Sequence, residues 1–362
     1  GPFLSLGVLV LLVAWNPFWE QISPVFDSSS RFVLVAVAGG ALLIPLLMLT
    51  QLVKRLLGIP LGPPEWIGEW TSADQLAHFA GENAEAYYAF DGNRLIFQTR
   101  REGVPCDQIY TMELDGTNAR MVSTGDGRTT CGYFFPDGES ILYASTHLGG
   151  AECPPEPGFE QGYVWALYDS YDIFTANADG SGLTRITDTD GYDAEATIGP
   201  DGRIVFTSVR DGDMEIYSMN GDGSDVRRLT NRPGPDGGPF FSPDGSKIVF
   251  RGRELAPGAE LDDYRSLLEQ GLYRPTALEI FVMDADGSNL RQVTDLGGAS
   301  FAPFWHPEGE RIIFSSNWHN PDGRNFDLFM INEDGTGLER ITFGDTFDGF
   351  RTLAVERFRS RL

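Results

Sequence analysis

The chain has 362 residues, 27 of them basic and 52 acidic, for a formal net charge of −25. So large an excess of acid leaves no basic footprint to neutralise phosphates, which excludes nucleic acid as a partner class. The same balance favours solubility and points to cations or basic partners.

Taken in chain order, the first element is apolar. Phe3 to Trp19 is short and is interrupted by Asn16-Pro17, so it reads as a first span or as an interfacial segment carrying Trp15, Phe18 and Trp19. Phe32 to Val53 is uncharged over 22 residues, long enough to cross a bilayer as a helix. Residues 1–58 are therefore expected to form a membrane anchor with one or two transmembrane helices. Residues 59–72, with Pro60, Pro63 and Pro64, read as a stiff linker. Lys54-Arg55 after the long span, against Arg31 before it, places the rest of the chain on the cytoplasmic face of a bacterial inner membrane. The periplasmic face is the alternative.

From about residue 73 the chain repeats one two-part phrase five times. Its first part ends on a strand closing with an aromatic: Leu95-Ile96-Phe97, Ile141-Leu142-Tyr143, Ile204-Val205-Phe206, Ile248-Val249-Phe250 and Ile312-Ile313-Phe314. Its second part is a hairpin turning at Asp115-Gly116, Asp179-Gly180, Asp222-Gly223, Asp286-Gly287 and Asp334-Gly335. Asp-Gly between alternating strands is a strong hairpin signal. Two hairpins give a four-stranded antiparallel meander. Such sheets bury their faces by packing around an axis, which is a β-propeller.

Phe135-Pro136-Asp137-Gly138, Gly199-Pro200-Asp201-Gly202, Ser242-Pro243-Asp244-Gly245 and His306-Pro307-Glu308-Gly309 resemble the first turn of TolB-like propeller repeats, and Met283 to Asn289 resembles the second. The resemblance covers roughly residues 83–348 and implies six blades. Five are complete between Glu85 and Thr342. Leu61–Ala84 and Phe343–Leu362 together have about the length of a sixth, which would be incomplete because Phe350–Leu362 lacks the Pro-Asp-Gly turn. The expected fold is thus an all-β, six-bladed propeller over 73–362, with a five-bladed ring as the alternative.

Turns of a meander alternate between its two ends. Every Asp-Gly hairpin therefore falls on one face of the disc, and the two long insertions, His147–Tyr171 and Arg253–Leu278, fall on the other. Long insertions on a rigid scaffold commonly carry recognition. The expected partner-binding residues are Tyr163, Trp165 and Tyr168 in the first insertion and Tyr264, Leu267 and Leu268 in a helix of the second. Trp318 and His319 belong to a further loop of that face. Arg357, Arg359 and Arg361 in the basic tail would dock to headgroups or to an acidic surface.

Glu85, Asp193, Glu195, Asp236 and Asp348 occur near the starts of the innermost strands. Converging carboxylates would take a hard cation such as calcium. Three cysteines, Cys106, Cys131 and Cys153, show no metal spacing; one pair could bridge, and three free thiols fit a reducing compartment equally well. The chain has no Gly-x-Ser-x-Gly elbow, phosphate loop or His-Glu-x-x-His. The resulting expectation is a non-catalytic, membrane-anchored propeller, an accessory or scaffolding subunit docked to a larger membrane protein complex of the respiratory or photosynthetic kind. The alternatives are a metal-dependent hydrolase or lyase working at the channel mouth, and a ligand-sensing propeller.

Overall fold

The computed structural model describes residues 82–344 and 348, apart from 102, 322 and 324. The expected anchor, the linker and the basic tail with Arg357, Arg359 and Arg361 lie outside the described residues. Within them, no helix is long and apolar enough to cross a membrane.

Five four-stranded antiparallel sheets follow one another. Blade 1 is built from Glu82–Tyr88, Arg94–Arg100, Gln108–Glu113 and Arg120–Met121. Blade 2 comprises Thr129–Phe134, Ser140–Ser145, Asp172–Asn177 and Thr184–Arg185, and blade 3 Asp193–Ile198, Ile204–Ser208, Glu215–Met219 and Arg227–Arg228. In blade 4 the strands are Asp236–Phe241, Lys247–Gly252, Glu279–Asp284 and Arg291–Gln292; in blade 5 they are Ser300–Trp305, Arg311–Ser316, Asp327–Asn332 and Glu339–Arg340. The expectation of six blades is corrected to five among the described residues. Asn83 and Ala84, assigned above to a sixth blade, pair with Thr99 and Gln98 inside blade 1. Successive innermost strands touch, and the run curves back on itself: the Tyr87 ring of blade 1 lies 5.6 Å from Phe240 of blade 4.

The core sits between the blades. Each second strand is a short apolar run buried on both faces, as Ile204–Ser208 is at all five positions. This explains why these strands read as continuous rather than alternating hydrophobics. The third strands start on a buried polar residue, Gln108, Asp172, Glu215, Glu279 or Asp327. In every blade a hydroxyl near the short outer strand answers it. Ser123, Thr187, Thr230, Thr294 and Thr342 accept the backbone N–H of the third strand's second residue, Ile109, Ile173, Ile216, Ile280 and Leu328 respectively, at 2.8–2.9 Å. Four of those hydroxyls also donate to the side chain that opens the third strand. Arg185, Arg228 and Arg340 add ion pairs to Asp172, Glu215 and Asp327. A two-residue outer strand is thereby held by side chains as much as by its ladder.

The Asp-Gly turns do a second job. The Asp carboxylate accepts the N–H two residues on at 2.9–3.0 Å, and the Ser or Thr hydroxyl there at 2.6 Å. Such bonds hold these exposed carboxyls below their usual range. In blades 2–5 the glycine lies against the backbone of the preceding blade. A Cβ at Gly223 would stand 2.6 Å from the Ile186 carbonyl oxygen, and φ there is +82°. Gly223→Ala is expected to destabilise the protein by more than about 1 kcal/mol, because the turn strains and the blade interface must open. Urea unfolding reads this out; an unchanged midpoint would show that the interface yields.

Candidate functional site

Each innermost strand carries one bulge at the same place. Register shifts occur between Ala84 and Tyr87, Thr130 and Tyr133, Ala194 and Thr197, Gly237 and Phe240, and Phe301 and Phe304. The residue inside each shift has positive φ: Glu85 (50°), Cys131 (52°), Glu195 (54°), Gly238 (60°) and Ala302 (45°). Bulges re-aim side chains, and a non-glycine residue in this region is strained. The five bulges line one central cavity of about 510 Å³.

The insertions roof it. Trp165–Ala166 of the first pairs antiparallel with Leu272–Tyr273 of the second, so blades 2 and 4 are joined above blade 3. Arg274 donates to the Gln161 carbonyl at 2.7 Å, and Gln161 Nε2 to Gln270 Oε1 at 2.8 Å. Beneath this cap the Trp165 ring lies 5.5 Å from Phe301 and 6.0 Å from Tyr273. Helix α1, Ala259–Leu268, is anchored by Tyr264, whose hydroxyl donates to Asp213 Oδ1 at 2.5 Å and accepts the Met214 N–H at 3.2 Å. A disulfide between Cys106 and Cys153, with Cα atoms 5.6 Å apart, ties the first insertion to blade 1. Cys131 is the free cysteine.

The polar centre of the cavity is an ion pair. Arg251, 6% exposed, places its guanidinium 2.5 Å from Glu195 Oε1. Glu195 Oε2 accepts the Thr207 hydroxyl at 2.8 Å and the Gly238 N–H at 3.0 Å. Gly238 makes the pair possible: a Cβ there would stand 2.1 Å from an Arg251 guanidinium nitrogen. Glu85 accepts a hydrogen bond from the Tyr87 hydroxyl. Burial raises the Glu85 carboxyl; the Tyr87 bond opposes this, and the nearby charge of Glu195 adds to it. Burial, reinforced by Glu85 and Glu195, likewise pushes the Cys131 thiol up, which suits an inert thiol rather than a nucleophile.

A raised carboxyl makes the folded state bind a proton in preference to the unfolded one. Its stabilising contribution is full below the ordinary carboxylate range and is lost as pH rises through the folded value. Glu85→Gln keeps an acceptor for Tyr87 and removes the charge. The variant is expected to lose the wild type's decline over that window and to be the more stable protein above it. Urea titrations from pH 4.5 to 8 measure the difference; a gap independent of pH would assign Glu85 no such role.

The five expected cation ligands do not assemble. Asp193 is fully buried but spent on Arg210, at 2.9 and 3.0 Å, and Asp236 is spent on Arg232, at 2.5–3.2 Å. The Asp348 backbone accepts the Ser315 hydroxyl. Only Glu85 and Glu195 face the cavity. Among the described residues no three His, Cys, Asp or Glu side chains group as a metal site.

Of the expected partner residues, Tyr163, Trp165 and Tyr168 do lie on the cap and line the cavity. Tyr264 and Leu267 are corrected: 5% and 2% exposed, they bury α1 against the disc and cannot meet a partner. Leu268 lines a second cavity, of about 930 Å³, between the two insertions. Trp318 is 42% exposed, and His319 Nε2 lies 3.0 Å from Asp327. Sequence reasoning missed Arg251, Cys131 and Gly238. Aligning the repeats on Ala84-Glu85-Ala86 and Ala194-Glu195-Ala196 would have exposed the shared bulge position.

Residues 163–259 match the family model described as the TolB beta propeller domain. A TolB candidate from Agrobacterium tumefaciens superposes with a TM-score of 0.51 at 20% identity, over 73% of this chain and 82% of that one. TolB from Acinetobacter baumannii gives 0.52 at 18%, over 74% and 56%. Hydrazine synthase from Kuenenia stuttgartiensis gives 0.53 at 15%, over 75% and 40%. This chain therefore spans most of the first and little more than half of the second. At such identities the likeness is one of fold. No curated protein matches the sequence.

Proposed function

We propose that the protein is a non-catalytic accessory or scaffolding subunit whose capped face docks to a larger membrane protein complex. One observation carries this. The loops of the capped face present large apolar side chains to solvent: Leu148 at 58%, Phe159 at 79%, Tyr163 at 48% and Trp318 at 42% exposed. Exposed apolar groups on a rigid frame mark contact surfaces. The uncharged run from Phe32 to Val53 supports a membrane setting. The Cys106–Cys153 bond favours the periplasmic over the cytoplasmic face, since disulfides persist in oxidising compartments.

The test uses the full chain, extracted from its native membrane in mild detergent. Native mass spectrometry is expected to find it with other membrane subunits. Leu148→Asp with Trp318→Asp is expected to release it while leaving its thermal midpoint within a few degrees of wild type. A solitary chain in the wild-type extract would overturn the proposal.

A further inference from the structure

We propose that the central cavity beneath the cap binds a free organic ammonium ion, a primary amine on a short aliphatic chain. Phe159 and Tyr163 at its mouth also belong to the docking surface, whereas Leu148 and Trp318 of that surface do not line it. Four features of the cavity lead there. Its volume of about 510 Å³ suits a small molecule. Its walls are aromatic: Tyr87, Trp165, Tyr171, Tyr192, Phe240 and Phe301 all line it. Ring faces attract a cation, most strongly where water is excluded.

The charges point the same way. Glu85 and Glu195 project from strained bulges into the cavity, while Arg251 is the cation among them and is held by Glu195. Asp107, Arg128 and Glu156 stand at the rim, where Glu156 accepts from Arg128 at 2.7 Å. With Glu85 ionised, acid exceeds base at both levels, so an anion would meet net repulsion and an ammonium ion net attraction. Finally, the wall is not saturated by the chain itself. Among the described residues Glu85 has one hydroxyl donor, Tyr87, for a carboxyl that can accept several, which leaves acceptor capacity for an ammonium group.

Glu85 also supplies a signature. The groups facing it are Tyr87, Cys131, Glu195 and Arg251, and the tyrosine and the thiol stay neutral near pH 7 because burial raises them. An arriving ammonium group would favour the Glu85 carboxylate. Its proton would pass to solvent, so binding would release a fraction of a proton.

Calorimetry on the intact protein with pentylamine, pentan-1-ol and pentanoate tests this. The amine alone is expected to bind. Its apparent enthalpy should differ between phosphate and Tris by the ionisation heat of the released proton. Glu85→Gln and Glu195→Gln are each expected to weaken binding by about tenfold, the loss of one charge-assisted contact. Glu85→Gln should also abolish the buffer dependence. Far-UV circular dichroism confirms that the variants are folded, and Asp201→Asn, on the opposite face, should bind as wild type. Binding of the alcohol or the carboxylate as strongly as the amine, or no amine heat in wild type, would overturn the proposal. So would a lysine-containing peptide that binds where pentylamine does not. The Leu148 and Trp318 variants should retain amine binding, which keeps this outcome separate from that of docking.

Discussion

Replacing Arg251 by methionine is expected to cost about 3–5 kcal/mol, the usual penalty for breaking one half of a buried ion pair. The loss is not the attraction alone. Glu195 would keep its place on a strained bulge with its charge uncompensated, still accepting from Thr207 and Gly238 but facing Glu85 without a cation between them. The guanidinium also lies 5.8 Å from the Trp165 ring, so its removal loosens the cap. A double variant separates these parts. Arg251→Met with Glu195→Met removes both charges and should be markedly more stable than Arg251→Met alone, because well-packed apolar pairs often replace buried ion pairs at little cost. Urea unfolding of the four species closes the cycle. Additive losses would mean that the two side chains do not act as a pair.

Reduction of the Cys106–Cys153 bond is expected to cost about 4 kcal/mol. The estimate is the loop-closure entropy of a separation of 47 residues, and it is an upper value where the unfolded chain stays compact. The bond joins the loop before the third strand of blade 1 to the first insertion, so the loss should be partly local. Limited proteolysis around Phe159, which is 79% exposed, should quicken under reductant before the disc unfolds. Cys106→Ser with Cys153→Ser should reproduce the effect without reductant, and Cys131→Ser should not, since Cys131 is unbonded. Identical unfolding curves with and without reductant would show that the purified protein lacks the bond.

Much of this architecture was legible in the residues. The Asp-Gly turns located every second hairpin, because glycine takes the positive φ that each turn needs without steric cost and the aspartate bonds its own backbone. The alternation of meander turns put both insertions on one face without any long-range information, and the cap formed by Trp165–Ala166 and Leu272–Tyr273 bears that out. The carboxylates were legible only as types. Arg232 stands four residues before Asp236, near enough to suggest the pair that removes Asp236 from any shared site. Arg210 lies 17 residues from Asp193, and nothing local joins them. Tyr264 and Leu267 were misread because an aromatic and a leucine on a short helix look alike whether they face a partner or their own chain.

The order of strands, the turn chemistry and the side on which the insertions emerge were settled by the residues alone, because each follows from contacts within a single blade. Tertiary structure alone decided that Glu195 meets Arg251 across 56 positions, that Cys106 rather than Cys131 bonds Cys153, and that Glu85 and Glu195 share a roofed cavity. Those pairings join different blades. Their geometry depends on how the sheets are set around the axis, a quantity that no local pattern encodes.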